Sequence, residues 1–252
     1  MSGYRAYAAD TNWQEQYAAY QERYRHTPRE SDWETTRIVA ELCAEHNITE
    51  AGRAHARLSL LDAGCSTGNL LRLLHLQLPG LRLDGCDLAE VILSQDRDDS
   101  YHLFGGDITS LGVDAQYDIV TVSAVLYLLD TAEFEQALAS IFAALRPGGH
   151  LVAWDWFNPY EQQLDIVETS ASHPQGLGIR CRPYSLVEQA CYHAGYVNTE
   201  FRPFEIGFDL PPPSSRDDLG SYTVDTTQHG RMIFRGLLHQ PWCHLIAHKA
   251  MA

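Results

Sequence analysis

The sequence predicts an α/β fold with a mostly parallel sheet, and two observations lead to that fold class. From about Arg57, short apolar runs alternate with amphipathic helices, as expected when helices cover both faces of a parallel sheet. The first of these runs enters "LLDAGCSTGNLL", in which an acid and two glycines lead directly into a leucine-rich helix. Before this region, an aromatic-rich segment predicts an N-terminal helical cap.

The individual elements follow from apolar periodicity and from residues that begin or end helices. Strands are predicted in "LSLLDAG", "LRLDGCD", "YHLFGGD", "YDIVTVSAV", "HLVAWDW" and, later, "YVNTEF". Helices are predicted from Asn69 to Leu78, in "AEVILSQ", and from Thr131 to Leu145, where Asp130 supplies the cap. "SDWE" and "SLVE" have the pattern of capping boxes that open two further helices.

The chain is expected to form a single domain over residues 1–252. Its first 50 residues predict a cap of two helices, with one aromatic stripe formed by Trp13, Tyr17, Tyr20 and Tyr24 at helical spacing. Residues 57–157 are expected to form the binding core. Two segments that interrupt the alternation, 158–183 and 204–240, are expected to be lids or insertions, the second with a hairpin turning near His229.

Composition argues against several classes of function. Eighteen basic against thirty-three acidic residues give a net charge of −15, which disfavours nucleic acid and anionic membranes as partners. The six cysteines are scattered without a CxxC pair, so we expect reduced thiols in a cytoplasmic protein. We find no signal-peptide pattern, no apolar run of membrane-spanning length and no spacing that predicts a metal site.

The chemistry is predicted at the carboxyl ends of the first three strands. Gly64 and Gly68 allow a ligand to approach the backbone, and the following helix N-terminus supplies free N–H groups. Asp87, at the end of the second strand, can accept both hydroxyls of a ribose. Asp107, after the third strand, can accept from an exocyclic amine. Together these residues predict a site for an adenosine-bearing ligand.

The glycine turn also indicates which kind of adenosine ligand to expect. A phosphate-binding loop needs GxxxxGK[ST], and the turn contains no lysine. A dinucleotide fingerprint needs a third glycine that "GCSTG" lacks, and Asp62 would repel phosphate. An acid at the end of the first strand is better suited to a ligand that carries an ammonium or a sulfonium.

These motifs resemble those of the class I S-adenosylmethionine-dependent methyltransferases, especially the small-molecule type. "LLDAGCSTGNLL", "LDGCDLAEVI", "GGDITSL", "YDIVTVSAVLYLL" and "ALRPGGHLVAW" follow one another at the spacing of that family. The middle glycine of the usual first motif is replaced by Ser66. The resemblance implies a Rossmann-like, doubly wound, seven-stranded sheet with an antiparallel late strand, and methyl transfer from S-adenosyl-L-methionine to a small-molecule acceptor.

The resemblance implies roles for individual residues. The turn would contact the methionine part of the cofactor, Asp87 the ribose, and Asp107 the adenine amine, with Ser123 beneath the sulfonium. Arg29 would pair with the cofactor carboxylate. The full set of cofactor-binding residues implied is Asp62, Gly64, Cys65, Ser66, Gly68, Asp87, Leu88, Asp107, Ile108, Ser123 and Arg29.

The acceptor side is predicted less sharply. Tyr127 and His173 are the two residues predicted to act as a general base, where one is needed. The predicted substrate-binding residues are Tyr7, Tyr17, Tyr127, Trp156 and Asn158. The alternative interpretations are packing for the aromatic stripe and a surface loop for His173. Arg180 and Arg182 are interpreted either as solvated charges or as anchors for an anionic substrate. Two other functions stay open, a macromolecular (protein or RNA) methyltransferase and a non-catalytic cofactor-binding protein of the same fold.

Overall fold

The computed structural model describes residues 4–49, 57–89, 93, 99–169, 176–212, 214, 220–235 and 238–251. Within these residues the strands are β1 (Ser59–Ala63), β2 (Arg82–Asp87), β3 (His102–Gly105), β4 (Tyr117–Ser123), β5 (Leu145–Asn158), β6 (Leu164–Glu168), β7 (Leu177–Pro183), β8 (Asn198–Pro203), β9 (Ser221–Thr226), β10 (Gly230–Arg235), β11 (Leu238–His239) and β12 (Trp242–His248). The helices are α1 (Tyr4–Ala8), α2 (Thr11–Glu22), α3 (Glu30–Thr49), α4 (Asn69–Gln77), α5 (Thr131–Ala144) and α6 (Tyr184–Ala194).

The main sheet has the predicted doubly wound arrangement. Its central path runs β3-β2-β1-β4-β5-β12-β8. The strands β1 and β4 lie in the middle, and the order in which strands are added switches sides between them. The pairs from β3 to β5 are parallel, and β12 is antiparallel to both of its neighbours, β5 and β8. The predicted seven-stranded sheet with an antiparallel late strand is therefore confirmed.

Two additions lie beyond that path. The strand β5 is longer than predicted, and its end pairs with β7 through Phe157 and Asn158. The strands β6 and β7 form an antiparallel hairpin, so part of the predicted 158–183 segment joins the main sheet. The strands β9, β10 and β11 form a separate antiparallel sheet, with β9 and β10 as the predicted hairpin.

The core lies on both faces of the main sheet. Every residue of β1 is buried, as expected for a central parallel strand. On one face α5 buries Phe134, Leu138 and Ile141 completely, and on the other α4 packs Leu71 and Leu74 near α3. No helix in the described part of the chain is long and apolar enough to span a membrane.

The starts of several helices differ from prediction. Asp130 does cap α5, and with Glu133 it forms a reciprocal capping box. The helix α6 begins after Pro183 without a side-chain cap, so the capping box predicted from Ser185 to Glu188 is wrong. The ring of Pro183 fixes φ near −67°, and the helix starts two residues earlier than predicted.

The cap contains three helices where two were predicted, because α1 precedes α2. The helix α3 begins at Glu30, and its Asp32 carboxylate accepts from the Arg29 N–H at 3.1 Å. Ser31 is therefore inside the helix and the predicted "SDWE" box is wrong, although Asp32 supplies the acidic half of such a box two residues before Glu34. The helix predicted in "AEVILSQ" lies almost wholly outside the described residues.

Candidate active site

The glycine turn after β1 has the backbone geometry that its sequence predicts. Gly64, Ser66 and Gly68 all have positive φ, at +86°, +52° and +73°. A side chain at Gly64 would meet Val125 Cγ2 at 2.5 Å, so only glycine fits there. The N–H groups of Gly64 and Cys65 both donate to the Cys86 carbonyl, which ties the turn to the end of β2.

The acid that ends β1 lies under this turn. Asp62 is 3% exposed and accepts a hydrogen bond from the Thr121 hydroxyl at 2.8 Å. Burial raises the pKa of Asp62 to about 7, and the nearby carboxylates of Asp32 and Asp87 add to the rise. The Asp62 carboxyl group is therefore only partly ionised at neutral pH, and a nearby cation or donor would favour its charged form.

The acid that ends β2 joins the turn directly. One oxygen of Asp87 accepts from the Ser66 N–H and the other from the Ala89 N–H, both at 2.9 Å. Burial raises the pKa of Asp87, and these backbone bonds oppose the rise. A carboxylate can accept about four hydrogen bonds, so each oxygen keeps capacity for a ligand hydroxyl. The Ser66 hydroxyl is buried without a partner among the described residues.

The cap closes over the same edge through α2. Gln21 accepts from the Arg29 guanidinium at 2.8 Å through its side-chain oxygen, and from the Asn69 amide at 3.0 Å through its backbone carbonyl. The Arg29 guanidinium also lies 3.8 Å from the centroid of the Tyr24 ring. The structure thus brings Arg29 to the start of α4, beside the glycine turn, as the predicted role requires.

Asp107 is held by the cap as well. The Asp107 carboxylate accepts from the Tyr4 hydroxyl at 2.6 Å and from the Arg5 guanidinium at 2.9 Å. It also accepts from the N–H and the hydroxyl of Thr109, two residues further along the chain. These bonds lower the pKa of Asp107 against the opposing effect of its partial burial. The carboxylate predicted for the adenine amine is therefore also the docking point of α1.

Beyond β4, two buried side chains of opposite charge, Asp155 and Arg182, organise the turn that carries Tyr127. Asp155 accepts from the N–H groups of Val125, Leu126 and Tyr127, at 2.7–3.2 Å, and from its neighbour Trp156 at 2.7 Å. Arg182 donates to the carbonyls at the other end of this single 3₁₀ turn, Leu126–Leu128, and just beyond it. Burial raises the pKa of Asp155 to about 6 and lowers that of Arg182 to about 10.

The side chain of Tyr127 lies in an apolar cluster. It stacks on Trp156 with centroids 5.8 Å apart and meets the edge of Trp242 at 6.2 Å. The remaining members of what we call the ring cluster come from the β6–β7 hairpin and from β11, and they are Ile166, Leu177, Ile179, Cys181 and Leu238. Burial raises the pKa of Tyr127, so its hydroxyl stays protonated at neutral pH.

The other predicted site residues take varied positions. Leu88 and Ile108 pack at the edge of the main core, Cys65 is buried in the turn, and Ser123 ends β4. Asn158 is buried. Its side-chain amide donates to the Gln162 carbonyl and to the Cys181 sulfur, and accepts from the Tyr160 N–H. His173 and the side chain of Tyr7 lie outside the described residues.

Sequence reasoning missed the residues that hold these groups in place. Asp155 was not singled out, and Arg182, at 1% exposure, is neither a solvated charge nor an available anion anchor. The signal for Asp155 was a lone acid within the apolar run "HLVAWDW", a position that requires a partner. Tyr4 and Arg5 had no comparable signal, because their partner Asp107 lies a hundred residues away.

Comparison with known proteins agrees with this geometry. A family model described as a methyltransferase domain matches residues 61–151, which run from β1 into β5. Two curated relatives are malonyl-[acyl-carrier protein] O-methyltransferases. The one from Priestia megaterium is 26% identical over 59% of this chain and 57% of its own length. The one from Serratia marcescens is 35% identical over 39% of this chain and 38% of its own length. The chain thus spans about half the length of the curated relatives it matches.

Solved structures share the fold over nearly the whole chain. The 1,6-didemethyltoxoflavin-N1-methyltransferase of Burkholderia thailandensis, solved with S-adenosylhomocysteine, has a TM-score of 0.56 at 17% identity, covering 99% of this chain and 92% of that one. An amino pentose methyltransferase from Micromonospora echinaspora, solved with S-adenosylmethionine, has a TM-score of 0.55 at 18% identity, covering 91% and 96%. At these identities the likeness establishes the fold.

Proposed function

We propose that the chain, whose residues 61–151 match a family model described as a methyltransferase domain, transfers a methyl group from S-adenosyl-L-methionine to a small-molecule acceptor. The observation that carries the proposal is the link between Asp87 and the Ser66 N–H. It places a carboxylate with spare acceptor capacity against a left-handed glycine turn, with a second acid beneath it.

The residues present suit this cofactor. The unpartnered Ser66 hydroxyl and the N-terminus of α4 offer donors to the methionine part. Asp87 has room for the ribose hydroxyls, and Arg29 reaches the helix start where a carboxylate would be held. Asp62, whose pKa is near 7, would be stabilised as an anion by a nearby positive charge. Asp107 can serve the adenine amine only by sharing its oxygens with α1.

When bound, S-adenosylmethionine supplies an electrophilic methyl group on a sulfonium. The chain then has to align the acceptor atom with that methyl group and exclude water, and alignment of this kind lowers a barrier by about 7–11 kcal/mol. The 3₁₀ turn fixed by Asp155 and Arg182 sets the position of Tyr127 at the end of β4. Because burial keeps the Tyr127 hydroxyl protonated, its proposed role is to donate a hydrogen bond that orients the acceptor.

A small acceptor is favoured by the apolar, ring-lined surroundings of Tyr127 and by the acidic net charge. The toxoflavin and amino pentose methyltransferases of the same fold act on small molecules, by their descriptions. His173, on the predicted lid, remains the proposed base for an acceptor that arrives protonated. We propose a cytoplasmic location, since the scattered cysteines are all free thiols.

The test is formation of S-adenosylhomocysteine from S-adenosylmethionine, measured by mass spectrometry, with a filtered small-molecule extract and separately with the protein and RNA fractions. The proposal expects turnover with the small-molecule fraction and a loss of at least about tenfold in Asp87→Ala. Turnover only with a macromolecular fraction would replace small-molecule transfer with the alternative. Binding of the cofactor without turnover on any fraction would favour a non-catalytic member of the fold.

A further inference from the structure

Aromatic rings surround Tyr127 in the ring cluster. The Tyr127 ring stacks on Trp156 with centroids 5.8 Å apart, and Trp156 and Trp242 meet at 5.5 Å edge to face. A second pair of rings lies on α2, where Trp13 and Tyr17 stack at 4.8 Å and pack against Ala89, two residues after Asp87. The ring faces beside Tyr127 favour a flat ligand.

The charged side chains near Tyr127 already have partners within the protein. Glu168 and Arg235 pair with each other through two bonds of 2.9 and 3.0 Å, which also tie the β6–β7 hairpin to β10. Asp155 is saturated by four backbone N–H groups, and Arg182 donates to three carbonyls. A charged ligand here would be desolvated without gaining an ionic partner, which is costly.

One donor in the ring cluster is unused. Trp156 is 3% exposed, and its indole N–H has no hydrogen-bond partner among the described residues. A buried N–H without a partner costs free energy, and an acceptor atom on a ligand would remove that cost. Trp156 also stacks on Tyr127, so the donor belongs to the ring that borders the predicted position of the acceptor.

We propose that the methyl acceptor is a flat, uncharged aromatic or heteroaromatic molecule with a hydrogen-bond acceptor atom, held against the ring cluster and recognised by the Trp156 N–H. This proposal rests on the proposed function for the position of the methyl group, and it adds the chemical class of the acceptor. Trp156 is thereby a specificity-determining residue that discriminates by hydrogen bonding, while Tyr127 discriminates by shape.

The charge requirement is tested on the unaltered chain. Quinoline is flat and uncharged at neutral pH, and quinoline-2-carboxylate has the same rings with a negative charge. Binding of each is measured by ligand-observed NMR, with and without added S-adenosylhomocysteine. The proposal expects quinoline to bind at least about tenfold more tightly than its carboxylate. Equal binding of the two probes, tighter binding of the carboxylate, or no binding of quinoline would overturn it.

The hydrogen-bond requirement is tested with naphthalene, which has the shape of quinoline but no acceptor atom. Trp156→Phe keeps a ring and removes the donor, so the preference for quinoline over naphthalene should fall by about three- to tenfold. The control is Trp154→Phe, since the Trp154 N–H is also buried without a partner but its ring stacks on Trp242, 3.8 Å away, and does not contact Tyr127. An unchanged preference in Trp156→Phe, or an equal fall in the control, would overturn the role of Trp156.

The two proposals fail in distinguishable ways. If S-adenosylhomocysteine binds and quinoline does not, the methyltransferase assignment stands and the acceptor class is wrong. If quinoline binds with the expected selectivity but no adenosine ligand binds, the ring-lined site stands and the methyltransferase assignment is wrong. The comparison of quinoline with quinoline-2-carboxylate needs no variant, so it decides the acceptor class even if Trp156→Phe fails to fold.

Discussion

Asp155 and Arg182 hold opposite ends of the same 3₁₀ turn, at Leu126–Leu128. The carboxylate accepts the N–H groups that open the turn, and the guanidinium donates to the carbonyls that close it. Arg182 also lies 4.1 Å from the centroid of the Phe134 ring. Because the turn carries Tyr127, this buried pair determines where the proposed acceptor site begins.

Replacing Arg182 should destabilise the fold. Arg182→Met keeps the length of the side chain but leaves the Leu129 carbonyl unpaired and removes the positive charge near Asp155, so we expect a loss of about 2–4 kcal/mol in the free energy of unfolding. The control is Arg180→Met, because Arg180 is half-buried and makes one bond, to the Leu128 carbonyl; we expect about 1 kcal/mol or less. Urea unfolding measures the loss of stability in both variants. Equal losses would contradict the role of Arg182 in holding the 3₁₀ turn.

The stability of the fold should depend on pH through Asp62. Its pKa is about 7 when folded and near 4 when unfolded, so between these values the folded state holds a proton that the unfolded state has released. Stability from this group therefore falls as pH rises through that window, with a slope of up to about 1.4 kcal/mol per pH unit. Asp62→Asn should remove this slope. The total change in the free energy of unfolding that is removed should be about 2 kcal/mol between about pH 5 and pH 7.

Urea unfolding at the two pH values measures the effect as a difference between the variant and the unaltered chain, so that other titrating groups cancel. Asp114→Asn, at an exposed position, is the matched control and should leave the slope unchanged. A variant whose slope equals that of the unaltered chain would mean that Asp62 is ionised in the folded state.

The hydroxyl of Tyr4 should hold α1 against Asp107. Tyr4→Phe removes the 2.6 Å bond to Asp107 but keeps the buried ring. Loss of the bond should cost about 1 kcal/mol, or roughly a fivefold increase in the local opening of α1. Hydrogen exchange should therefore quicken in residues 4–8, and S-adenosylhomocysteine should dissociate faster. Tyr20→Phe, which loses only a bond to the Tyr24 hydroxyl on the exposed side of the cap, should change neither. No difference between the two variants would argue against this docking.

Asp87 should control cofactor affinity. Asp87→Ala removes both the proposed ribose acceptor and the bond that fixes Ser66, so affinity for S-adenosylhomocysteine should fall by about tenfold or more. Asp87→Asn keeps one acceptor oxygen for the turn and should fall less. Calorimetry gives both values. If the alanine variant binds as tightly as the unaltered chain, the ribose does not lie at this strand end.

The sequence predicted the parts of the structure that depend on local chemistry. The five central strands and the helix α4 follow from apolar runs that must be buried, and the positive φ of Gly64 and Gly68 follows from the turn between them. Asp62 and Asp87 could be assigned to one edge because the carboxyl ends of parallel strands lie together.

The remaining features depend on contacts between distant residues. That Arg182 is buried follows from the pairing of β7 with the end of β5, which no local pattern indicates. The docking of Tyr4 on Asp107 and the ion pair between Glu168 and Arg235 likewise join segments far apart in the chain. Helix starts at Glu30 and Tyr184 were shifted because tertiary packing and Pro183 outweighed the apparent capping boxes.

The edge formed by Asp62, Ser66 and Asp87 is proposed to bind an adenosine ligand with a sulfonium or thioether and not a dinucleotide. The decisive measurement is isothermal titration calorimetry of the purified chain with S-adenosylhomocysteine and, separately, with a nicotinamide dinucleotide. We expect saturable binding of S-adenosylhomocysteine to one site per chain and no heat for the dinucleotide. Binding of the dinucleotide with no heat for S-adenosylhomocysteine would contradict it.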